Sequence, residues 1–127
     1  MEKALRYELN QIPEITNKIY PTNAPEGKES PYLVYILSRY EQTKTLTEIK
    51  NNIESSYLLN VLASSYAQMK ELTKKVKEKV LTFYQRNIGT EGIFIADLTV
   101  NNISETYESE LGMYRGIVDI TFWYKEE

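Results

Sequence analysis

Between Tyr57 and Tyr84 the apolar positions change their period, and the change marks a strand running into a helix. From Tyr57 to Ala63 the odd positions (Tyr57, Leu59, Val61, Ala63) are apolar, while Leu58, Asn60 and Leu62 face the other way. Alternation of two belongs to a strand buried mainly on one face. After Ser65 the apolar residues are Tyr66, Met69, Leu72, Val76, Val80, Phe83 and Tyr84. Steps of three and four place them on one helical stripe roughly 120° wide. Ser65 and Gln68 stand at the N-cap and third helical positions of a capping box. Asn87-Ile88-Gly89 offers a stop, because glycine takes up the left-handed conformation of a helix C-cap. The spacing therefore predicts a helix of about six turns from Tyr66 to the neighbourhood of Asn87.

The flanking segments carry the same two signals. Ala4, Leu5, Leu9 and Ile12 recur at helical spacing before Pro13 ends the run, and Ile15 to Tyr20 reads as a brief strand. Pro21 to Pro31 holds three prolines and a glycine in eleven residues and is a loop. Tyr32 to Tyr40 is apolar at even positions (Tyr32, Val34, Ile36) and at odd ones (Leu33, Tyr35, Leu37). This pattern predicts a central strand covered on both faces, by a helix on one and by another subunit on the other. Residues 41–54 are polar, with sparse apolar positions at Leu46 and Ile49, and read as a projecting hairpin arm. Ile93 to Ile103 and Met113 to Tyr124 form a closing pair of strands, with Glu105, Glu108 and Glu110 in the turn between them. The expected fold is a single α+β domain over residues 1–127. It has one mainly antiparallel sheet of about five strands, with a short N-terminal helix and one long helix on one face.

Composition narrows the class. With 42% apolar residues and eleven tyrosines among 127 residues, the chain can bury a core and fold. A net charge of −3 gives no field to gather nucleic acid or an anionic membrane. There is no cysteine, hence no disulfide framework. The charged start MEKALRYELN lacks the apolar core of a signal peptide, and no run of roughly 18 apolar residues is present. The expectation is a soluble protein kept in a cytoplasm-like compartment, where the sequon Asn102-Ile103-Ser104 has no use.

The chemistry is read by elimination. Without histidine or cysteine, zinc sites, serine-histidine triads and thiol nucleophiles are all excluded. Gly27-Lys28 is followed by Glu29 and lacks the first glycine of a phosphate loop, and no acidic loop has calcium-binding spacing. Asp97 and Asp119, inside apolar strands, would suit an acid–base pair; the alternative is a salt bridge to Arg115 or an exposed strand face. On the long helix Lys70, Lys74 and Lys77 flank the apolar stripe on one side and Lys75 and Lys79 on the other. Glu71 and Glu78 sit in the middle of the polar face. Lysine stems along the edge of an apolar stripe explain this better than a phosphate-binding surface. The tyrosines show no stacking cluster and suit packing. No catalytic, cofactor-binding or metal-binding residue is assigned. The classes left open are an assembly protein, a non-catalytic cytoplasmic interaction or regulatory module, and a small carboxylate-dependent hydrolase.

A resemblance orders these classes. Lys18-Ile19-Tyr20-Pro21, Ala24-Pro25-Glu26-Gly27 and Pro31-Tyr32-Leu33-Val34-Tyr35 resemble the opening of the tail-completion proteins of long-tailed phages and prophages, also called tail terminators or tail-to-head joining proteins. Met113-Tyr114-Arg115-Gly116, Val118-Asp119-Ile120 and Phe122-Trp123-Tyr124 continue the likeness, which covers nearly the whole chain apart from the lysine- and threonine-rich residues 41–54. The resemblance implies a structural virion protein, assembled in the bacterial cytoplasm. It would form a ring, usually of six subunits, that caps the tail tube, stops its polymerisation and docks the head connector. Partners would be further copies of itself, the tube protein and the connector, with no specific nucleic-acid binding and no membrane. Leu33, Tyr35, Leu37, Leu46, Ile49 and Leu81 are the expected subunit or tube contacts, and Glu105, Glu108 and Glu110 an acidic turn facing the lumen.

Overall fold

The structure, a computed structural model, describes residues 1–24, 27–43 and 52–125. Two helices, α1 (Glu2–Leu9) and α2 (Tyr66–Leu81), pack on one face of a six-stranded sheet. The strands are β1 (Ile19–Pro21), β2 (Tyr32–Thr43), β3 (Asn52–Ala63), β4 (Arg86–Ile88), β5 (Ile93–Glu108) and β6 (Met113–Lys125), in the order β1-β2-β3-β6-β5-β4. Every pairing is antiparallel except β1 with β2, so the sheet is mixed and has one strand more than the apolar pattern suggests. The short first strand lies at one edge of the sheet.

The core forms between the helices and the odd residues of β3 together with the even residues of β6. Leu59, Val61, Val118, Ile120 and Phe122 are all fully buried, as are Met69, Val76 and Val80 on α2. Tyr57 stands between Tyr35 and Phe122, with ring centroids 6.4 and 6.1 Å away, and Phe122 meets Phe83 at 6.1 Å. Tyrosines that look scattered along the chain are thus gathered by strand pairing into edge-to-face and tilted ring contacts, which favour a defined arrangement over mere burial.

The start of α2 is as its residues dictate: the Ser65 hydroxyl accepts from the Gln68 N–H at 3.2 Å. The end differs. The helix stops at Leu81, well short of Asn87, because its last carbonyls find partners in a turn. Thr82 N–H and its hydroxyl both donate to Lys79 O, at 3.1 and 2.6 Å, and Phe83 N–H donates to Val80 O at 3.1 Å. Gln85 takes the left-handed conformation (φ 50°), and the chain enters β4. Phe83 remains fully buried after the helix has ended, whereas Tyr84 is turned outwards. Gly89 does adopt a positive φ of 75°, but it does so in the turn from β4 into β5, against Ala4 of α1.

β2 is buried on both faces only from Tyr32 to Tyr35. Its second face there is covered within the chain: Tyr32 and Val34 cluster with Leu62, Tyr20, Ala24 and Met113. No second subunit is needed for that burial. Further along, Leu37 and Tyr40 are 43% and 48% exposed. The first and last residues of the polar segment 41–54 continue the ladder, with Glu41 opposite Glu54 and Gln42 opposite Ile53, and Ile53 is a core residue. Leu46 and Ile49 lie outside the described residues.

Candidate interaction surfaces

The sheet has two open edges. β1 pairs with β2 only along Leu33–Tyr35, and β4 pairs with β5 only along Ile93–Ile95. Among the described residues no strand flanks the outer side of β2 beyond Tyr35, or that of β5 from Ala96 to Glu108. A strand edge that no other strand flanks is a template for another strand.

The expected contact residues divide. Leu33 and Tyr35 are core residues, 0% and 3% exposed, and have no surface to offer a neighbour. Leu37 on the open part of β2 and Leu81 at the end of α2 are 43% and 45% exposed. The acidic segment is strand rather than turn as far as Glu108, because β5 continues opposite Tyr114 and Met113; only Glu110 lies in the turn. Glu105 accepts from the Tyr66 hydroxyl at 3.1 Å and pairs with Lys70 at 2.6 Å, and Glu108 accepts from Arg115 Nε at 2.8 Å. Two of the three carboxylates are therefore neutralised within the chain. Beside them Tyr66, Tyr114 and Tyr107 form a second aromatic group, with centroids 5.8 and 4.9 Å apart. Its members come from α2, β6 and β5, so only tertiary pairing assembles it.

The helix lysines also point to neighbours. Lys75 pairs with Glu14 and, at 3.6 Å, with Glu71 one turn earlier; Lys79 donates to Gln11 at 2.8 Å. Hydrogen bonds from these lysines hold the carboxyls of Glu14 and Glu105 below the usual carboxylate value, and hold Lys75 and Lys70 above the usual lysine value. A lowered carboxyl contributes stability that is present above its unfolded value of about 4.3 and lost as pH falls through the folded value. The raised lysines act in the opposite range: their contribution is present below about pH 10.4 and lost at higher pH. We expect urea midpoints of the wild type to fall between about pH 5 and pH 3, and the Glu14→Gln/Glu105→Gln variant to fall less. Equal slopes would show that these pairs do not couple to folding.

Asp97 and Asp119 do not make an acid–base pair. Asp97 accepts from the Leu98 N–H at 2.8 Å beside a bulge, and Asp119 accepts from Asn101 Nδ2 at 3.3 Å. Asp97 lies opposite Trp123, four residues from Asp119 along β6, or roughly 13 Å at about 3.3 Å per residue. That exceeds the separation, up to about 9.5 Å, at which two carboxylates share a substrate bond. Arg115, the alternative partner of Asp119, instead binds Glu108 and, through Nη1, the Asn60 side chain at 2.9 Å. Among the described residues no three acidic side chains are placed to hold a metal ion, and no helix is long and apolar enough to cross a membrane.

No family model and no curated protein matches the chain. Its fold is similar to that of a chain in the solved structure described as the virion of a native gene transfer agent particle. The likeness has a TM-score of 0.74 over 99% of this chain and 95% of that one, at 11% sequence identity. At that identity the similarity speaks for the fold alone, from end to end.

Proposed function

We propose that this chain is a structural protein of a phage-like virion, and within it the tail terminator. Copies of the chain form a ring, of six subunits, that seats on the finished tail tube, stops further addition of tube protein and presents a face to the head connector. The observation that carries this reading is the end-to-end likeness of fold to a chain of a gene transfer agent virion. The resemblance of residues 18–35 and 113–124 to tail-completion proteins narrows it from virion protein to terminator. The surface supports assembly rather than turnover. The carboxylates inside the strands are too far apart to cooperate, while exposed apolar residues such as Leu37 and Tyr107 stand on strands that, among the described residues, have no strand on their outer side. A mild net negative charge suits a ring through which DNA passes without being held.

The test is deletion of the coding sequence in its parent element, followed by electron microscopy of the particles. Expected are tails of uncontrolled length beside tailless heads, with normal length and joining restored by the chain supplied in trans. Particles of normal length and full infectivity without the chain would overturn the reading.

A further inference from the structure

We propose that the ring closes edge to edge: the open stretch of β2 on one copy adds, antiparallel, to the open stretch of β5 on the next. The partner is a second copy of this chain, and the inference rests on the ring reading above. Strand polarity allows the union. Direction alternates along β2, β3, β6 and β5, so β5 and the β2 of a following copy run oppositely.

The backbone groups face the right way. Leu33 N–H donates to Lys18 O and Tyr35 O accepts from Thr22 N–H, both at 2.9 Å, so these helix-side residues of β2 turn towards the outer edge. Leu37, the next in that alternation, does the same. Reversal of strand direction puts the outward groups of β5 on its helix-side residues too, among them Ile103, Glu105 and Tyr107.

The two short strands bound the register, and the fullest overlap within those bounds sets it. β1 occupies the edge of β2 up to Tyr35, so a neighbour's β5 can run alongside only if its Glu108 end stops before that residue. β4 blocks the other end of β5 in the same way. Leu37 of one copy then stands beside Tyr107 of the next. These residues are 43% and 53% exposed and both lie on the helix side, where they make an apolar cross-strand pair. Neither open stretch contains lysine or proline, the residues that commonly guard an edge. The part of β5 used, residues 103–107, is clear of its bulge at Val100–Asn102, while the bulge of β2 at Leu37–Arg39 falls within the joint and adds twist.

This register also closes. Leu37 is level with Ile120 and Tyr107 with Tyr114, so each copy steps along the strands by six residues, roughly 20 Å at about 3.3 Å per residue. Four strands per copy are roughly 19 Å wide at about 4.8 Å each. The two lengths give a strand tilt of about 45°, at the upper end of the range of closed barrels. Strands tilted in this way meet at one height around a ring instead of climbing into a filament.

The chain has no native cysteine, so engineered pairs report without background. In Leu37→Cys/Tyr107→Cys, mild oxidation of the assembled protein should give a ladder of disulfide-linked multimers. Leu37→Cys/Leu81→Cys should give none, and a ladder from that pair in place of the first would overturn the edge joint. Ile103→Pro removes an N–H that the chain's own ladder does not use. It should keep its circular dichroism and melting temperature and lose the ring in native mass spectrometry; a folded variant that still forms rings would overturn the proposal. Should that variant not fold, the cysteine pairs decide. Wild-type protein that caps tubes while Leu37→Cys/Tyr107→Cys stays uncrosslinked means the terminator reading stands and this joint is wrong. A cross-linked ring with no effect on tubes means the reverse.

Discussion

Gly116→Ala should destabilise the chain by about 2–3 kcal/mol, although alanine usually serves a strand at least as well as glycine. Gly116 is on β6 directly beneath α2. A Cβ there would stand 2.2 Å from Thr73 Oγ1 and 2.9 Å from Met69 Sδ, so the helix would have to lift from the sheet. Thr73 and Met69 are themselves buried and bonded to each other, the Thr73 hydroxyl donating to the sulfur at 3.6 Å, so the β-branched Thr73 in particular is held against the strand. The cost should therefore be relieved by removing the obstructing hydroxyl. Thr73→Ala alone should cost about 1 kcal/mol, and the double variant should cost clearly less than the two singles together. What would then remain against the new methyl is the residue 73 Cβ, at 3.3 Å, and the more pliable thioether. Urea unfolding of the four proteins gives the cycle. A neutral Gly116→Ala, or strictly additive effects, would mean that helix–sheet closeness is not set at this point.

Gly116 shows how far local patterns reach. A glycine in the middle of an alternating strand signals close approach of another backbone, so the crowding could have been read; which helix residues press on it could not. The strand-to-helix junction at Ser65 was legible because the cap and both periodicities are local. The end of α2 was not. Phe83 and Tyr84 keep the helical spacing, yet the chain turns at Thr82, next to residues 79, 86 and 89 that bind Glu8 of α1, some seventy residues earlier in the sequence. β4 is too short, at three residues, to show a period. The double apolarity of β2 means two covered faces only over Tyr32–Tyr35, and there the second face is covered from within the chain, by Tyr20, Ala24 and Met113 together with Leu62. The acidic segment is strand as far as Glu108 because strand length depends on tertiary partners: β6 pairs alongside it, and Arg115 of β6 and Lys70 of α2 bind Glu108 and Glu105. The open edges have no signature in the sequence at all, since an edge is a property of strand order.

The second large effect is expected at Glu8, a carboxylate on the apolar stripe of α1, between Leu5 and Leu9. It is 4% exposed and lies against three donors. Arg86 Nη2 and Lys79 Nζ approach one oxygen, at 2.7 and 3.8 Å, and the Gly89 N–H reaches the other at 3.2 Å. These partners come from the end of α2 and from the segment 86–89, so a single side chain ties the N-terminal helix to the place where α2 gives way to β4. Arg86 is fixed further by donating to Thr82 O at 3.1 Å and by lying over the Phe83 ring, 5.7 Å from its centroid. Glu8→Ala should cost about 3 kcal/mol, the lower part of the range for removing one partner of a buried pair, because Arg86 can still reach water. For a chain of this length that lowers the melting temperature by about 10 °C. Glu8→Gln, which keeps an acceptor for Gly89, should lose less. Arg86→Ala combined with Glu8→Ala should show a coupling of at least about 1 kcal/mol. Hydrogen exchange in the variant should rise most at Ile88 and Ile93, the pair that closes β4 onto β5. If Glu8→Ala melts within a degree or two of wild type, or exchange rises evenly over the sheet, then burial of Leu5, Leu9 and Phe83 alone holds α1 in place and the carboxylate has no part in ending α2.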